Sequence, residues 1–445
     1  MNDTVVFPGA TFQRLRSQLL ASDRETCAVL LALPLQVGRG TKFIVKEEIY
    51  FGEGDYVERS GLRSSLRSET VFTIAQKAKR QNQSVVFVHT HPGVHGFPQF
   101  STADDKGEAV LAPFLKQYFQ TELALSLILA AGGCAGRIIP CGAPLRIVEA
   151  SSEFTFLSKL DAEESEFERS DRHIRALGRS AVPILQNLKI GIVGLGGTGS
   201  LTAQQLAYLG VRDFVLMDDD VIELTNLNRV VGASQTDVNR PKTKVTEDLI
   251  RRIAPAARVR IYDESVLEDV SVRKLLDRDL LFCCTDSHGS RAVMNQFAYQ
   301  YVIPCIDMAI SISTTDEKIS YIVGRIQLLA PGLGCLTCGG LLDAGEVRVD
   351  LMREHERRRD PYFLGQAEPQ PAVISLNSTV SSLAVTMFLG TITHAPLNAR
   401  FQHYDAIAGI VRSVEHRPRP NCIVCSESGA LARGDTWPLP TRKSP

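Results

Sequence analysis

The sequence has no excess of charge of either sign. Its 49 Lys and Arg residues face 50 Asp and Glu, leaving a formal net charge of −1. A general nucleic-acid binder normally carries a basic surplus, so that class is set aside. No run of about 18 consecutive apolar residues occurs, which argues against a transmembrane helix and a membrane partner. The opening residues, MNDTVVFPGATF, hold no basic stretch leading into an apolar one, so no secretory signal is read and the cytoplasm is the expected compartment. Internal repeats are missing too. What remains is a chain of 445 residues, 44% hydrophobic and 22% charged, with material for two or three globular domains.

Ten cysteines stand out against this ordinary background. In a reducing compartment, closely spaced pairs read as metal ligands before disulfides. Two pairs have C-x-x-C spacing, Cys335/Cys338 and Cys422/Cys425. Four thiolates from two such pairs make a closed tetrahedral zinc site that would tie the C-terminal segment to the core. The other six, Cys27, Cys134, Cys141, Cys283, Cys284 and Cys305, lie in apolar surroundings and are expected to pack in the interior.

Hydrophobic patterning divides the chain. Strands are expected at 25–33, 41–51, 84–91, 123–131 and 143–150, with helices at 69–80 and 101–117, the second capped by Ser101. This is an α+β domain over 1–155. A polar, acidic stretch at 156–171 reads as a linker. From 188, strands followed by helices predict a doubly wound, Rossmann-like parallel sheet in an α/β domain over 172–430. Residues 345–370 read as a charged loop, about 372–392 as an apolar helix, and 431–445 as a mobile tail.

In the first domain, His89 and His91 are two apart on a strand and project to one face. Asp104 falls in the first turn of the next helix. Two imidazoles and a carboxylate, with one position open, form a catalytic zinc set. Ser101 and Glu25 are the candidate oxyanion support and general base, with Glu47 and Glu48 as rival bases and His95 read as a loop residue. The string HTHPGVHGFPQFSTADD, with ETCAVL upstream, resembles the motif of JAMM (JAB/MPN+) zinc metalloproteases. The resemblance covers roughly residues 10–150. It implies His89, His91 and Asp104 as zinc ligands, Glu25 as base, Ser101 at the oxyanion, and cleavage after the C-terminal glycine of ubiquitin or a ubiquitin-like protein.

In the second domain, GLGGTGS follows a strand and opens a helix, where glycines let the backbone approach phosphates. Asp218 ends the next strand and suits a ribose. Alone this fits NAD, FAD or ATP. Asn226, Arg229, Lys242 and Asp286 add cations and an acidic group that hydride transfer does not need, whereas attack on an α-phosphate does. The pieces DRHI, GLGGTGS, DDDVIELTNLNR, RPK and CTD resemble the ThiF/MoeB-type, ubiquitin-activating superfamily over about 170–426. That resemblance implies ATP-dependent adenylation of the C-terminal carboxylate of a ubiquitin-like or sulfur-carrier protein. Gly194, Gly196, Gly197 and Gly199 would lie near the nucleotide, with Asp218 and Asp220 beside them. Asn226, Arg229 and Lys242 would engage phosphates, with Lys244 the rival lysine, and Asp286 would hold Mg²⁺. Arg172 would reach into a partner subunit's site, implying a homodimer. Val230 stands where the family usually has glutamine. The same resemblance supports structural zinc at the four paired cysteines.

No cysteine lies between Cys338 and Cys422, so a thioester in the family's usual crossover loop is not expected. The combined expectation is a bifunctional enzyme of a prokaryotic ubiquitin-like modifier pathway, some of which serve in antiphage defence, with a conjugating enzyme as a further partner. Three alternatives are a sulfur-carrier activating enzyme, a protein in which one domain has become a binding module, and, more remotely, an NAD-dependent dehydrogenase.

Overall fold

The computed structural model describes every residue except 1–2, 62, 120–123, 141, 316–317, 358–359, 361–370, 394 and 443–445. Cys141 therefore lies outside the described residues. The chain separates into two compact units, Met1–Leu160 and Asp161–Pro445.

The first unit runs β1 (Thr4–Pro8), α1 (Thr11–Leu19), β2 (Cys27–Val37), β3 (Gly40–Tyr50), β4 (Tyr56–Arg59), β5 (Ser64–Leu66), α2 (Ser68–Arg80), β6 (Ser84–Thr90), α3 (Thr102–Phe119), β7 (Ala124–Ala130), β8 (Gly133–Ile138), β9 (Arg146–Ala150) and β10 (Phe154–Phe156). Eight strands form one sheet in the order β10-β9-β1-β3-β2-β6-β7-β8, and β4 and β5 make a separate hairpin. The period-2 alternation of β2 feeds two cores. Ala28, Leu30 and Ala32 meet Phe12, Leu15 and Leu19 of α1 on one face, while Val29 and Leu31 meet Ile74 and Ala78 of α2 on the other.

The second unit opens with α4 (Glu164–Arg169), α5 (Asp171–Leu177) and α6 (Ala181–Asn187). It continues with β11 (Lys189–Val193), α7 (Gly197–Leu209), β12 (Asp213–Met217), α8 (Lys242–Ile253), β13 (Arg258–Tyr262), α9 (Asp269–Val272), β14 (Leu280–Cys283) and α10 (His288–Gln300). After these come β15 (Cys305–Thr315), β16 (Lys318–Leu329), α11 (Ala344–Leu351), α12 (Glu354–Arg357), α13 (Ile374–Ile392), β17 (Phe401–Asp405) and β18 (Ile410–Ser413). The sheet order is β13-β12-β11-β14-β15-β16-β17-β18. Pairing is parallel from β13 to β15 and antiparallel beyond. The chain leaves β11 toward β12 and returns on its other side as β14. That reversal is the topological switch point where open α/β sheets bind ligands.

The units divide at Leu160/Asp161, inside the stretch read as a linker. Leu157 on one side is buried in the first unit's core, and α4 on the other is held by Arg212, which lies 3.0 Å from both Glu163 and Glu166. Two expectations need correction. The segment at 345–370 is not wholly loop, because α11 and α12 form within it and Asp343 caps α11 by accepting from the Glu346 amide. The described part of the tail is bound rather than mobile. Buried Gln300 donates to the carbonyls of Gly434 and Trp437 at 2.8 and 2.7 Å, and Gln296 donates to Pro438 at 2.6 Å. Side-chain donors from α10 to its backbone carbonyls hold this tail, which is why its shortage of apolar residues misleads. Helix α13 is long and apolar enough to cross a membrane by length and composition. Its Ser381 donates to the Thr198 carbonyl at the start of α7, and Val380, Ala384 and Phe388 are buried as core residues.

Gln300→Leu would remove the donor to the Trp437 carbonyl and leave the Gly434 carbonyl with only the Trp437 amide at 3.4 Å. It is expected to cost about 1–3 kcal/mol of stability. The emission of Trp437, the single tryptophan, should shift red at lower urea concentration than in the wild type.

Candidate functional site

The first site gathers at the ends of β2 and β6. These strands pair antiparallel with Cys27 opposite His89, and Thr90 donates its amide to the Thr26 carbonyl at 3.1 Å. His91 continues the line of β6 by donating to Leu129 O at 3.0 Å. Asp104 arrives in the first turn of α3. Ser101 caps that helix reciprocally: its amide donates to Asp104 Oδ2 at 2.6 Å, and its Oγ accepts from the Asp104 amide at 3.3 Å. The Ser101 hydroxyl thus fixes the carboxylate's helix turn.

His89 Nε2 stands 2.9 Å from Asp104 Oδ1, and His91 Nε2 stands 3.6 Å from Asp104 Oδ2. A tetrahedral zinc site spaces such donors by about 3.3 Å. Nε2 of His89 is buried and makes no hydrogen bond despite its closeness to the carboxylate. One ligand atom from each of His89, His91 and Asp104 lies within 4.8 Å of the others, close enough to share one ion. Burial lowers the basicity of His91 and so favours its neutral, ligating form. Burial alone would raise Asp104, but the adjacent His89 imidazole and the Ser101 amide outweigh it and hold the carboxyl below the usual range. These residues fit a zinc ion.

Glu25 sits two residues before β2, outside the strand expected to begin at 25. Burial raises its carboxyl above the ordinary value, and the nearby charge of His89 partly opposes this. Both rival bases are engaged elsewhere. Glu47 pairs with Lys77, and Glu48 pairs with Arg14 at 3.1 Å and accepts from Tyr50. His95 is exposed in the loop. Sequence reasoning missed Arg137 on β8, which contacts Asp105 at 2.7 Å and Glu108 at 3.0 Å and lies over the Phe100 ring. It clamps the start of α3 and thereby Asp104. An arginine in an ordinary strand carries no sequence signal for such a role.

The second site lies at the switch point. Gly194 has φ +85°, and a Cβ there would stand 2.8 Å from the Cys284 carbonyl at the end of β14. A Cβ on Gly199 would meet Gly194 O at 1.9 Å, and one on Gly197 would meet Asn377 Nδ2 of α13 at 2.1 Å. These three glycines are demanded by close packing. Gly196 differs, since nothing lies within 4 Å of the position its Cβ would take. Its backbone faces open space at the N-terminus of the 13-residue α7, a cradle suited to phosphate.

Asp218 follows β12 and is buried. Its Oδ2 accepts from the Leu195 amide at 2.5 Å and its Oδ1 from the Asp220 amide at 2.9 Å. Burial pushes its pKa up to about 6, against the pull of Lys242. Lys242 begins α8, with Nζ 2.6 Å from Asp220 Oδ2 and 3.9 Å from Asp218 Oδ1. Lys244 turns to Glu247 and Asp248 on its own helix, which decides between the two lysines. Arg229 donates to Thr225 O at 2.5 Å, and its Cδ lies near Gly197. Asn226 is buried and accepts from the Glu223 amide at 3.2 Å. Val230 packs with Ile222 and Val245 beneath this loop, a place where glutamine would not sit without partners. Asp286 is exposed beyond β14, and its charge reaches Lys242. Carboxylate oxygens of Asp218, Asp219 and Asp220 also lie within 4.8 Å of one another. Arg172 is exposed on α5.

The third cluster is closed. Sγ of Cys335 is 3.5 Å from that of Cys422, and Sγ of Cys338 is 3.4 Å from that of Cys425. Tetrahedral Zn–S geometry spaces sulfurs by about 3.8 Å. Backbone amides of Cys338, Val424 and Arg419 point at these sulfurs from 3.4, 3.4 and 3.3 Å, as they do toward thiolates. A hydrogen bond from Cys425 lowers Cys335 to about 5. The four residues fit a structural zinc. Cys134, Cys283 and Cys305 are buried. Burial pushes Cys283 to about 12 and Cys305 well above its ordinary value, so neither offers a thiolate nucleophile. Cys27 is not core packing, because it stands half-buried beside Glu25.

Two measurements test these sites. Purified protein should hold about two zinc ions per chain, falling to about one in His89→Ala and to about one in Cys422→Ser. Asp218→Asn tests the cost of the buried carboxylate. The folded-state pKa, about 6, exceeds the ordinary 3.8. The neutral form's stability is therefore complete below pH 3.8 and lost as pH rises through 6. The variant should melt above wild type at pH 7.5, with the gain fading toward about pH 4, while binding ATP more weakly.

Comparison with known proteins falls on the second unit. A family model described as "ThiF family" matches residues 170–424. The SAMP-activating enzyme E1 of Haloferax volcanii is 25% identical over 274 residues, covering 61% of this chain and 93% of the relative. The molybdopterin-synthase adenylyltransferase of Escherichia coli K12 is 26% identical over 249 residues, covering 55% of this chain and 89% of the relative. Among solved structures, E. coli MccB with MccA-N7isoASN aligns with a TM-score of 0.48 and 21% identity, covering 60% of this chain and 76% of that one. With a family match spanning more than half its length, the chain belongs to the ThiF family.

Proposed function

We propose that the second unit adenylates the C-terminal carboxylate of a ubiquitin-like or sulfur-carrier protein, and that the first is a zinc metallopeptidase acting on the same kind of tail. The observation that carries the reading is the convergence of Gly196, Asp218 and Lys242 on the N-terminus of α7. Similarity to a SAMP-activating enzyme and to adenylyltransferases for molybdopterin synthase and ThiS supports the substrate class.

ATP would lay its phosphates on the Gly196 backbone and its ribose hydroxyls toward Asp218. Lys242 and Arg229 would offset charge as the carrier's carboxylate oxygen attacks the α-phosphorus. The bond to the β-phosphate breaks, pyrophosphate leaves and an acyl-adenylate forms. Mg²⁺ would be held by the Asp286 carboxylate, where it would neutralise phosphate charge. Arg172, exposed on α5, is the residue we assign to the partner subunit's site in a homodimer.

In the first unit, zinc held by His89, His91 and Asp104 would supply Lewis acidity toward water and the scissile carbonyl. Glu25 would accept the water's proton and return it to the departing amine. Covalent linkage of the units raises the effective concentration of each site for the other's product. We place the chain in the cytoplasm, where its thiols remain reduced. Sulfur transfer is the second reading, favoured by the lack of any cysteine between Cys338 and Cys422. An external sulfur donor would then attack the adenylate.

ATP–pyrophosphate exchange with small glycine-ended proteins encoded beside this chain is the direct test. Exchange should require the carrier and fall about 100-fold in Lys242→Ala. No exchange with any such carrier would overturn the adenylation reading. Glu25→Gln should abolish cleavage of a tail-extended carrier while leaving exchange unchanged.

A further inference from the structure

The β4–β5 hairpin lies outside the main sheet of the first unit, yet it grips the short segment that carries Glu25. The Glu25 amide donates to Ser60 O at 2.7 Å, and its carbonyl accepts from Arg59 Nε at 3.2 Å. Arg59 Nη2 donates to Thr26 Oγ1 at 2.8 Å, and the Cys27 amide donates to Tyr56 Oη at 2.9 Å. Tyr56 is 5% exposed, and the Arg59 guanidinium stands over its ring at 5.1 Å. Backbone and side-chain groups of three consecutive residues are thus held by one small hairpin.

The same hairpin reaches the Glu25 side chain. Ser64 Oγ lies 3.3 Å from Glu25 Oε2 and 3.1 Å from Cys27 Sγ. A hydroxyl has one hydrogen to donate. A carboxylate only accepts, so the Ser64 hydroxyl donates to Glu25 and its oxygen is left to accept from the Cys27 thiol. The Ser64 hydrogen is then directed to the carboxylate. The arrangement is a one-way chain, from thiol to hydroxyl to Glu25.

We propose that Ser64 is a positioning residue that holds the Glu25 carboxylate in place for proton transfer at the His89–His91–Asp104 centre, with the Tyr56–Leu66 hairpin as its scaffold. The inference rests on the metallopeptidase reading and adds to it a residue outside the zinc motif. An unrestrained glutamate samples several rotamers, and a hydrogen bond from a hydroxyl fixed in a hairpin selects one of them. The charged and titratable groups around Glu25 are His89, Asp104, Cys27 and Arg59.

The test needs no substrate. Cobalt(II) is loaded at the open site of the full-length protein while the four-cysteine site retains zinc, and the visible cobalt band is followed against pH. Wild type should show an inflection that Glu25→Gln removes and His89→Ala abolishes together with the band. Ser64→Ala removes a donor to the carboxylate and so disfavours its charged form. The inflection should move up by about half to one pH unit, with metal content unchanged. Ser64→Thr, which keeps the hydroxyl, should restore it. An inflection in Ser64→Ala equal to wild type, while Glu25→Gln still removes it, overturns the role of Ser64 alone. An inflection that survives Glu25→Gln overturns the placement of Glu25 at the metal and the peptidase reading with it.

Discussion

Asp218 is buried at the end of β12, and its carboxylate has two backbone donors to satisfy it. The Leu195 amide it holds belongs to the glycine turn after β11, so that turn takes its shape from the neighbouring strand. The Asp220 amide it holds turns the chain toward Asn226 and Arg229. Lys242 is drawn to the same place by Asp218 and Asp220. An ionised carboxylate in this position is costly, as its raised pKa shows, and Asn would satisfy the same amides in part. A buried carboxylate with a raised pKa beside a lysine is the kind of group that marks a candidate functional site.

The first unit solves a comparable problem by different means. Its histidines come from one strand, its aspartate from a helix and its glutamate from the segment before a second strand. Each is held by a separate device. The β6 ladder fixes the histidines, Ser101 and Arg137 fix the first turn of α3, and the β4–β5 hairpin fixes Glu25. All three devices come from outside the His89–His91–Asp104 cluster, so the surrounding contacts set its geometry. The four-cysteine cluster is the opposite case. It is closed and buried, and it joins the exit of β16 to the C-terminal segment.

The zinc motif, the glycine loop and the paired cysteines were legible because each chemistry demands particular residue types at short or regular spacing. The helix at 101–117 was legible because Ser101 and Asp104 are a capping pattern as well as a site. The preference for Lys242 over Lys244 is explained by the structure, where helix partners occupy Lys244. The binding of the tail was not legible. Its apolar content is low, and the hydrogen bonds from Gln296 and Gln300 come from a helix far away in sequence. The helices at Ala344–Leu351 and Glu354–Arg357 were hidden by their charge, since neither shows an apolar stripe.

Local sequence by itself picked out the candidate metal-binding and phosphate-binding groups, because ligation and backbone approach depend on side-chain chemistry and on glycine over a few residues. Tertiary structure alone decided which acidic groups stand beside which cations, why Gly196 faces open space while Gly194, Gly197 and Gly199 are packed, and which residues steady the glutamate. Those outcomes depend on contacts between segments tens to nearly two hundred residues apart, such as Asn377 against Gly197. A pattern confined to neighbouring residues holds no record of such contacts.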